Sequence, residues 1–288
     1  MRIGTRGSAL ALAQAGQVAR ALGGAELVAI TTSGDRDRAG EDKERWVKEI
    51  DAALLAGEID LAVHSAKDVP AHLPAGVAIV ACPPRADPRD ALCGAPSLDA
   101  LAPGARVGTS SLRRQAGLRA LRDDLEVVEL RGNVDTRLRR LAEGAYDAIV
   151  VALAGLQRLG RADAATGTLD ELVPAAGQGI LAIEARTGDE AARAAAAALD
   201  DPATTTCLRA ERALVRALEA DCHTPMGAHA THDAATGRLT LRAFVGRADG
   251  SAWLRDEVSE LPPGDPERLG EAVARRLLAA GAAEVLGR

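Results

Sequence analysis

Residues 59–70 read IDLAVHSAKDVP, and the fold class follows from how this stretch is built. Ile59, Leu61 and Val63 alternate with other residues at the period of a strand. The strand runs straight into a polar segment, His64 to Asp68, closed by Pro70. A helix precedes it, because apolar residues at 46, 47, 50, 53 and 54 recur at helical spacing. Further strands are predicted at 27–31 and 77–81. A second βα series follows: a strand ending at 106–108, a helix opening in SSLRRQAGLRALR, and a strand at 125–130. Then come an RGN turn, a helix in VDTRLRRLAEG closed by Gly144, a buried strand at 147–153 and a last strand in VPAAGQGILAIEA. Proline and glycine interrupt the alternation near 83–90 and 173–180, which predicts two lobes joined by two chain crossings. After Asp201 and Pro202 the pattern changes to a helix at 204–218, strands at 238–246 and 252–259 and a helix at 266–280. The expected class is α/β, two lobes with mixed, mostly parallel sheets plus a small α+β C-terminal domain. Domain 1 is expected to hold 1–85 with 178–200, domain 2 86–177 and domain 3 201–288.

The composition narrows the function. The 288 residues carry 35 Lys+Arg against 41 Asp+Glu, a net charge of −6, and four aromatic residues: Trp46, Tyr146, Phe244 and Trp253. An acidic chain with so few rings for bases to stack on argues against a nucleic-acid partner. No apolar run reaches the ~18 residues of a membrane span. The start, MRIGTRGSALALAQAGQ, does not read as a signal peptide, so a cytoplasmic chain is expected. Only three of the 35 cations are lysines, Lys43, Lys48 and Lys67. A GC-rich genome accounts for that bias, and a lysine that survives it can mark a need for a compact ammonium.

Four segments place polar residues where strands lead into helices, the usual ligand position of an open α/β sheet. They are GTRGS at 4–8 with Arg6 and Ser8, HSAKD at 64–68, GTSSLRR at 108–114 and LRGNVDTR at 130–137. Any one of them alone reads more readily as a capped helix or a solvated arginine. Together, hydroxyls, helix N-termini and guanidinium forks describe a cleft for several carboxylates or phosphates. The phosphate patterns GxxxxGK[ST] and GxGxxG are absent, so a polycarboxylate fits best. From 106 to 158 the chain holds ten arginines and seven acids, a cationic stretch inside an acidic protein. Asp68 is the acid placed among these cations. It could cap a helix or pair with a cation, or it could stabilise a cation on a substrate and pass a proton.

The cysteines, Cys82, Cys93, Cys207 and Cys222, have no spacing typical of zinc, and no metal is expected. Three read as inert thiols. Cys222, in EADCHTPMG after a periodic helix, sits in a turn-forming context and is a candidate nucleophile or attachment point.

These segments together resemble the porphobilinogen deaminase (hydroxymethylbilane synthase) family. The likeness runs through IGTRGSALALAQ, KEIDAALLAGEIDLAVHSAKDVP, DPRDAL, VGTSSLRRQ, LRGNVDTRL, YDAIVVALAGLQRLG, PAAGQGILAIE and ERALVRALEADCHTPMGAHA. The resemblance implies a three-domain chain whose first two lobes are like periplasmic binding proteins. It implies a dipyrromethane cofactor held by a thioether to Cys222. Four porphobilinogen units then add head to tail, each losing ammonia through an azafulvene-like species, and hydroxymethylbilane is released for tetrapyrrole and haem biosynthesis. Each pyrrole carries an acetate and a propionate, which suits an arginine-lined cleft.

By the same resemblance Asp68 is the catalytic acid. Lys67, Thr109, Ser110, Ser111, Arg113, Arg114, Arg131 and Arg137 belong with the cofactor and growing chain. Arg6, Ser8, Arg158 and Gln178 lie near the incoming substrate, and Lys43, Trp46 and Lys48 lie on a covering loop. A monomer is implied. The chain departs from the family in AGEDKERWVKE, where Glu44 and Arg45 are bulky and Trp46 takes an aromatic position. It also departs at His223 beside Cys222, a possible aid to thiolate formation, and at Gln157 before Arg158. The rival readings are a noncatalytic polycarboxylate-binding protein on the same two lobes and an anion-binding phosphoribosyltransferase.

Overall fold

The computed structural model describes residues 1–36, 44–221, 223–260 and 264–288, with the side chains of 35, 36 and 44–46 left aside. The first lobe opens with β1 (Arg2–Arg6), α1 (Ala9–Ala21), β2 (Glu26–Ile30), α2 (Ser33–Arg36), α3 (Glu44–Leu55), β3 (Leu61–Ser65) and β4 (Val77–Ala81). The chain then crosses into β5 (Asp90–Cys93), β6 (Arg106–Gly108), α4 (Leu112–Leu121), β7 (Glu126–Val128), α5 (Val134–Ala142), β8 (Ala148–Ala152), α6 (Leu153–Arg158) and β9 (Gly167–Leu169). It returns as β10 (Leu181–Arg186) and α7 (Glu190–Ala197). The last part is α8 (Pro202–Ala217), β11 (Met226–His232), β12 (Leu239–Gly246), β13 (Trp253–Glu260), α9 (Pro266–Ala279) and α10 (Ala282–Val285).

The two large sheets share one plan. The first is ordered β2-β1-β3-β10-β4 and the second β7-β6-β8-β5-β9. In each, the two pairings on one side are parallel and the two around the fourth strand are antiparallel. The sheets are therefore mixed, as expected, with four of the five strands in each running the same way and β10 or β5 set against them. The reason is topological: β5 and β10 are the first strands after the two crossings, and each inserts against the direction of its neighbours. The third sheet, β11-β12-β13, is antiparallel throughout and packs on α8 and α9.

Each lobe has a core on both faces of its sheet. In the first, Ile3, Val18, Leu61 and Ile183 pack beneath α1, while Ile50, Leu54, Ile59 and Ala62 pack beneath α3. The second is built the same way around Leu92, Val107, Leu118 and Val150 on one face and Leu130, Tyr146, Ile149 and Leu156 on the other. Gly4 admits Ile59 into the first core, since a Cβ there would stand 2.3 Å from Ile59 Cδ1. The fully buried Glu211 of α8 ties the three parts together. It pairs with Arg85 of the first crossing at 2.6 Å, and it accepts from the Gly177 N–H of the second at 2.6 Å and the Ala230 N–H of β11 at 2.7 Å.

Candidate active site

The two crossings bring the ends of β3 and β5 beside the N-terminus of α4. Ser111 caps α4, its hydroxyl accepting from the Arg114 N–H, so Arg113 and Arg114 leave the first turn of the helix. Both guanidinium groups turn inward onto Asp90, the first residue of β5. Arg114 Nη2 lies 2.8 Å from Asp90 Oδ1 and Arg113 Nη1 2.8 Å from Asp90 Oδ2. Arg114 also donates to Val150 O at 3.1 Å, Arg113 to Val173 O at 2.9 Å, and Gln178 Nε2 to Asp90 Oδ1 at 2.8 Å. Asp90 is fully buried and the other three nearly so. Burial would raise the Asp90 pKa, but the two guanidiniums hold it well below the usual carboxylate range. Arg113, Arg114 and Gln178 are thus bound to protein, and Asp90 is the residue that a reading of helix and strand patterns overlooked. The signal was present in DPRDAL, where an acid opens an otherwise apolar strand.

Around this buried group stands a ring of half-buried cations. Lys67 lies in the single 3-10 turn, Ala66–Asp68, that ends β3. Burial lowers its pKa to about 8, with Asp68 and Asp90 opposing that and Arg114 and Arg113 adding to it. Arg137, from the first turn of α5, donates to Gly132 O at 2.8 Å and Ser110 Oγ at 3.3 Å. Burial and then Arg114 bring its pKa down to about 10. Arg158, at the end of α6, donates to Gly179 O at 2.7 Å, and burial lowers it likewise to about 10. Among the described residues none of these three cations has a carboxylate within ion-pair distance. Buried charge without a counter-charge is unfavourable unless something supplies one. Asp68 is half-buried beside Lys67, and its carboxylate makes no hydrogen bond among the described residues.

The remaining predicted residues take varied places. Ser8 caps α1, accepting from the Ala11 N–H, and Arg6 ends β1 close enough to His64 to depress its pKa. Thr109 is fully buried and its hydroxyl accepts from the Ser111 N–H at 3.2 Å. Arg131 is half-exposed and pairs with Glu129 at 2.7 Å. Lys48 is exposed on α3, the side chain of Trp46 is not described, and Lys43 and Cys222 lie outside the described residues. The turn that flanks Cys222 is well tied. Asp221 accepts from the His223 N–H at 2.9 Å and from the Thr224 hydroxyl at 2.8 Å, and Arg288 reaches Leu218 O at 2.6 Å. His223 Nδ1 stands 3.8 Å from Asp221 Oδ2. Burial pushes the other thiols up, Cys82 and Cys207 to about 12 and Cys93 to about 11, so none of them is a nucleophile near neutral pH.

A cleft of about 750 Å³ lies elsewhere, between the first crossing and β11. Its arginines are already paired: Arg85 with Glu211, Arg89 with Asp87 and Asp170, Arg242 with Glu257. The cations without a carboxylate partner among the described residues, not this cleft, are the candidate place for a polyanion.

Residues 1–194 match the family described as porphobilinogen deaminase, dipyromethane cofactor binding domain, and residues 205–279 match the porphobilinogen deaminase C-terminal domain. A porphobilinogen deaminase of Roseiflexus castenholzii is 48% identical over 301 aligned residues, covering 99% of this chain and 98% of its own. One from Thiobacillus denitrificans is 46% identical over 302, covering 99% and 97%. Among solved structures the chain is similar to a TRAP periplasmic solute binding protein from Desulfovibrio salexigens. That likeness has 11% identity, 69% coverage of this chain, 71% of the other and a TM-score of 0.42.

Proposed function

The chain belongs to the porphobilinogen deaminase family, whose members make hydroxymethylbilane using a dipyrromethane cofactor, and from that premise we propose which residues carry the reaction. The observation that carries the assignment is a set of half-buried cations that lack a carboxylate within ion-pair distance among the described residues: Lys67 and Arg137, both close enough to Arg114 to feel its charge, and Arg158, which donates to Gly179 O next to Gln178. Substrate and cofactor both bear an acetate and a propionate on each pyrrole, so they bring the missing counter-charges.

The donors present fit the cofactor. Arg137, Arg131, Ser110 and Lys67 hold its carboxylates, and Cys222 binds it covalently. When bound, the cofactor supplies the two-pyrrole primer from which the chain of four substrate units grows. Arg113 and Arg114 act from below: locked on Asp90, they fix the N-terminus of α4 and add positive potential to the cleft without having to move. Gln178 holds Asp90 and Ser8 holds α1, so direct contact with substrate carboxylates falls to Arg6 and Arg158.

Asp68 is the catalytic carboxylate. As ammonia leaves porphobilinogen, positive charge grows on the pyrrole system, and a fixed carboxylate beside the ring N–H stabilises it. The same oxygen can accept and return a proton. The proposed division keeps Asp68 in the first lobe (1–85 with 178–200), the arginines in the second (86–177) and the attachment loop in the third (201–288). One chain, a monomer, then holds every part.

Intact-mass measurement tests the attachment. The purified chain is expected to exceed its sequence mass by a two-pyrrole adduct, and Cys222→Ser to lack it. An active protein at the unmodified mass, or an adduct that survives Cys222→Ser, would overturn the assignment.

A further inference from the structure

Three titratable side chains that the reaction does not use converge inside the first lobe. His64 on β3 lies in register with Ala182, and Glu184 on β10 with Ala62, so both project from one face of the sheet. Asp51 reaches that face from α3, which packs there through Ile50 and Leu54. One polar atom from each of the three lies within 4.8 Å of the others, and His64 Nε2 is 3.7 Å from Glu184 Oε2. The residues are 8%, 5% and 1% exposed in chain order. Among the described residues Asp51 Oδ1, His64 Nε2 and both Glu184 oxygens have no hydrogen-bond partner. The cluster sits directly before the site, since His64 is in the strand that ends in the turn carrying Lys67 and Asp68.

Two ionised carboxylates and an imidazolium cannot all persist in so small a buried volume, and protons redistribute instead. Burial, and then the charge of Asp51, raises Glu184 to about 8. Burial raises Asp51 to about 6 and lowers His64 to about 4. The other charged groups facing the cluster are Arg6 from β1 and Asp68 from the turn, both acting on His64, and Arg212 from α8, acting on Glu184. Near neutral pH this leaves Glu184 a neutral acid with one O–H to give, beside an Asp51 carboxylate and a neutral imidazole that can receive it.

We propose that Asp51, His64 and Glu184 form a proton-sharing cluster that positions the Lys67–Asp68 turn. One proton kept among the three removes like-charge repulsion where α3, β3 and β10 meet, at the end of the strand from which Asp68 is presented. Losing it leaves two like charges buried together and loosens that end. The sign follows from linkage. Glu184 is protonated more readily folded than unfolded, so its contribution is full at low pH and is lost as pH rises through about 8. The effect on catalysis rests on the assignment of Asp68 above; the presence of the proton does not.

The test compares Glu184→Gln, which keeps a donor and an acceptor in the same shape, with Glu184→Ala. Glu184→Gln is expected to retain turnover at pH 7 to within about threefold and to lack the fall in kcat above pH 8 that the proposal predicts for the native chain. Glu184→Ala should drop kcat about tenfold or more at unchanged KM. Lys67 discharges in the same range but remains in every variant and acts on KM, so the contrast in kcat isolates Glu184. Infrared difference spectra, native minus Glu184→Gln, should show a protonated carboxylic acid at pH 7 that vanishes above pH 8. That arm serves even if Glu184→Ala fails to fold. The proposal is overturned by absence of the acid band, by Glu184→Gln as inactive as Glu184→Ala, by an unaltered pH profile, or by a stoichiometric divalent metal in the purified chain. Near-native turnover of Asp68→Asn with the band present would sink the link to catalysis and the assignment of Asp68, while leaving the shared proton in place.

Discussion

Asp90 shows how one residue can organise a site without touching what binds there. Its two oxygens hold two buried guanidiniums and a buried amide, and nothing in that group faces outward. Asp90→Asn would keep the shape but leave Arg113 and Arg114 without their counter-charge. We expect a loss of about 3–5 kcal/mol in unfolding free energy, the usual consequence of breaking a buried ion pair on one side. Denaturant titration reads the stability, and intact mass reads whether the weakened chain still carries its cofactor. The same residue marks a limit of sequence reading. Arg113 and Arg114 were legible as cations at a helix start, and their number and spacing suggested ligand contacts. That both turn to an acid more than twenty positions upstream is a tertiary fact with no local pattern. Lys67 and Arg137 were legible in the polar segments where strands lead into helices, whereas Arg158 came only from the family resemblance; among the described residues none of the three has a carboxylate within ion-pair distance.

Elements with strong periodicity were visible from the chain alone. The strands at 77–81 and 106–108 have the predicted bounds, and the helices at 204–218 and 266–280 differ by one or two residues at their ends. Other strands were hidden for physical reasons. β1 carries arginines at both ends and a glycine in its middle, which breaks alternation, and β5 opens on a buried acid. β11 follows the Cys222 turn with alternating histidines and small residues rather than large apolar ones. Turn chemistry positions the site as much as the strands do. Gly177 has φ of +74°, and a Cβ there would lie 2.8 Å from both Ala66 C and Lys67 N. Gly177→Ala must therefore either strain the second crossing or push the turn of Lys67 and Asp68 aside. Steady-state kinetics of this variant are expected to show kcat lowered by about tenfold or more. Unchanged kcat would mean that the turn is not held by that contact.

At the scale of the whole molecule, the two crossings are clamped together. Glu211 gathers Arg85, Gly177 and Ala230 at one buried point, so the lobes and the third sheet meet where the site residues are set. This hub was not legible, because Glu211 reads as one more charge on a periodic helix. What the sequence did carry is the order of segments: an acid and a lysine from the first lobe, arginines and hydroxyls from the second, a cysteine from the third. In the proposed reaction Asp68 is the point at which these parts meet. The most direct measurement is therefore ammonia release from porphobilinogen by Asp68→Asn, normalised to the fraction of chains whose intact mass includes the two-pyrrole adduct. The account predicts that adduct-bearing chains lose turnover by at least about 100-fold. Adduct-bearing Asp68→Asn chains that release ammonia at a near-native rate would contradict it.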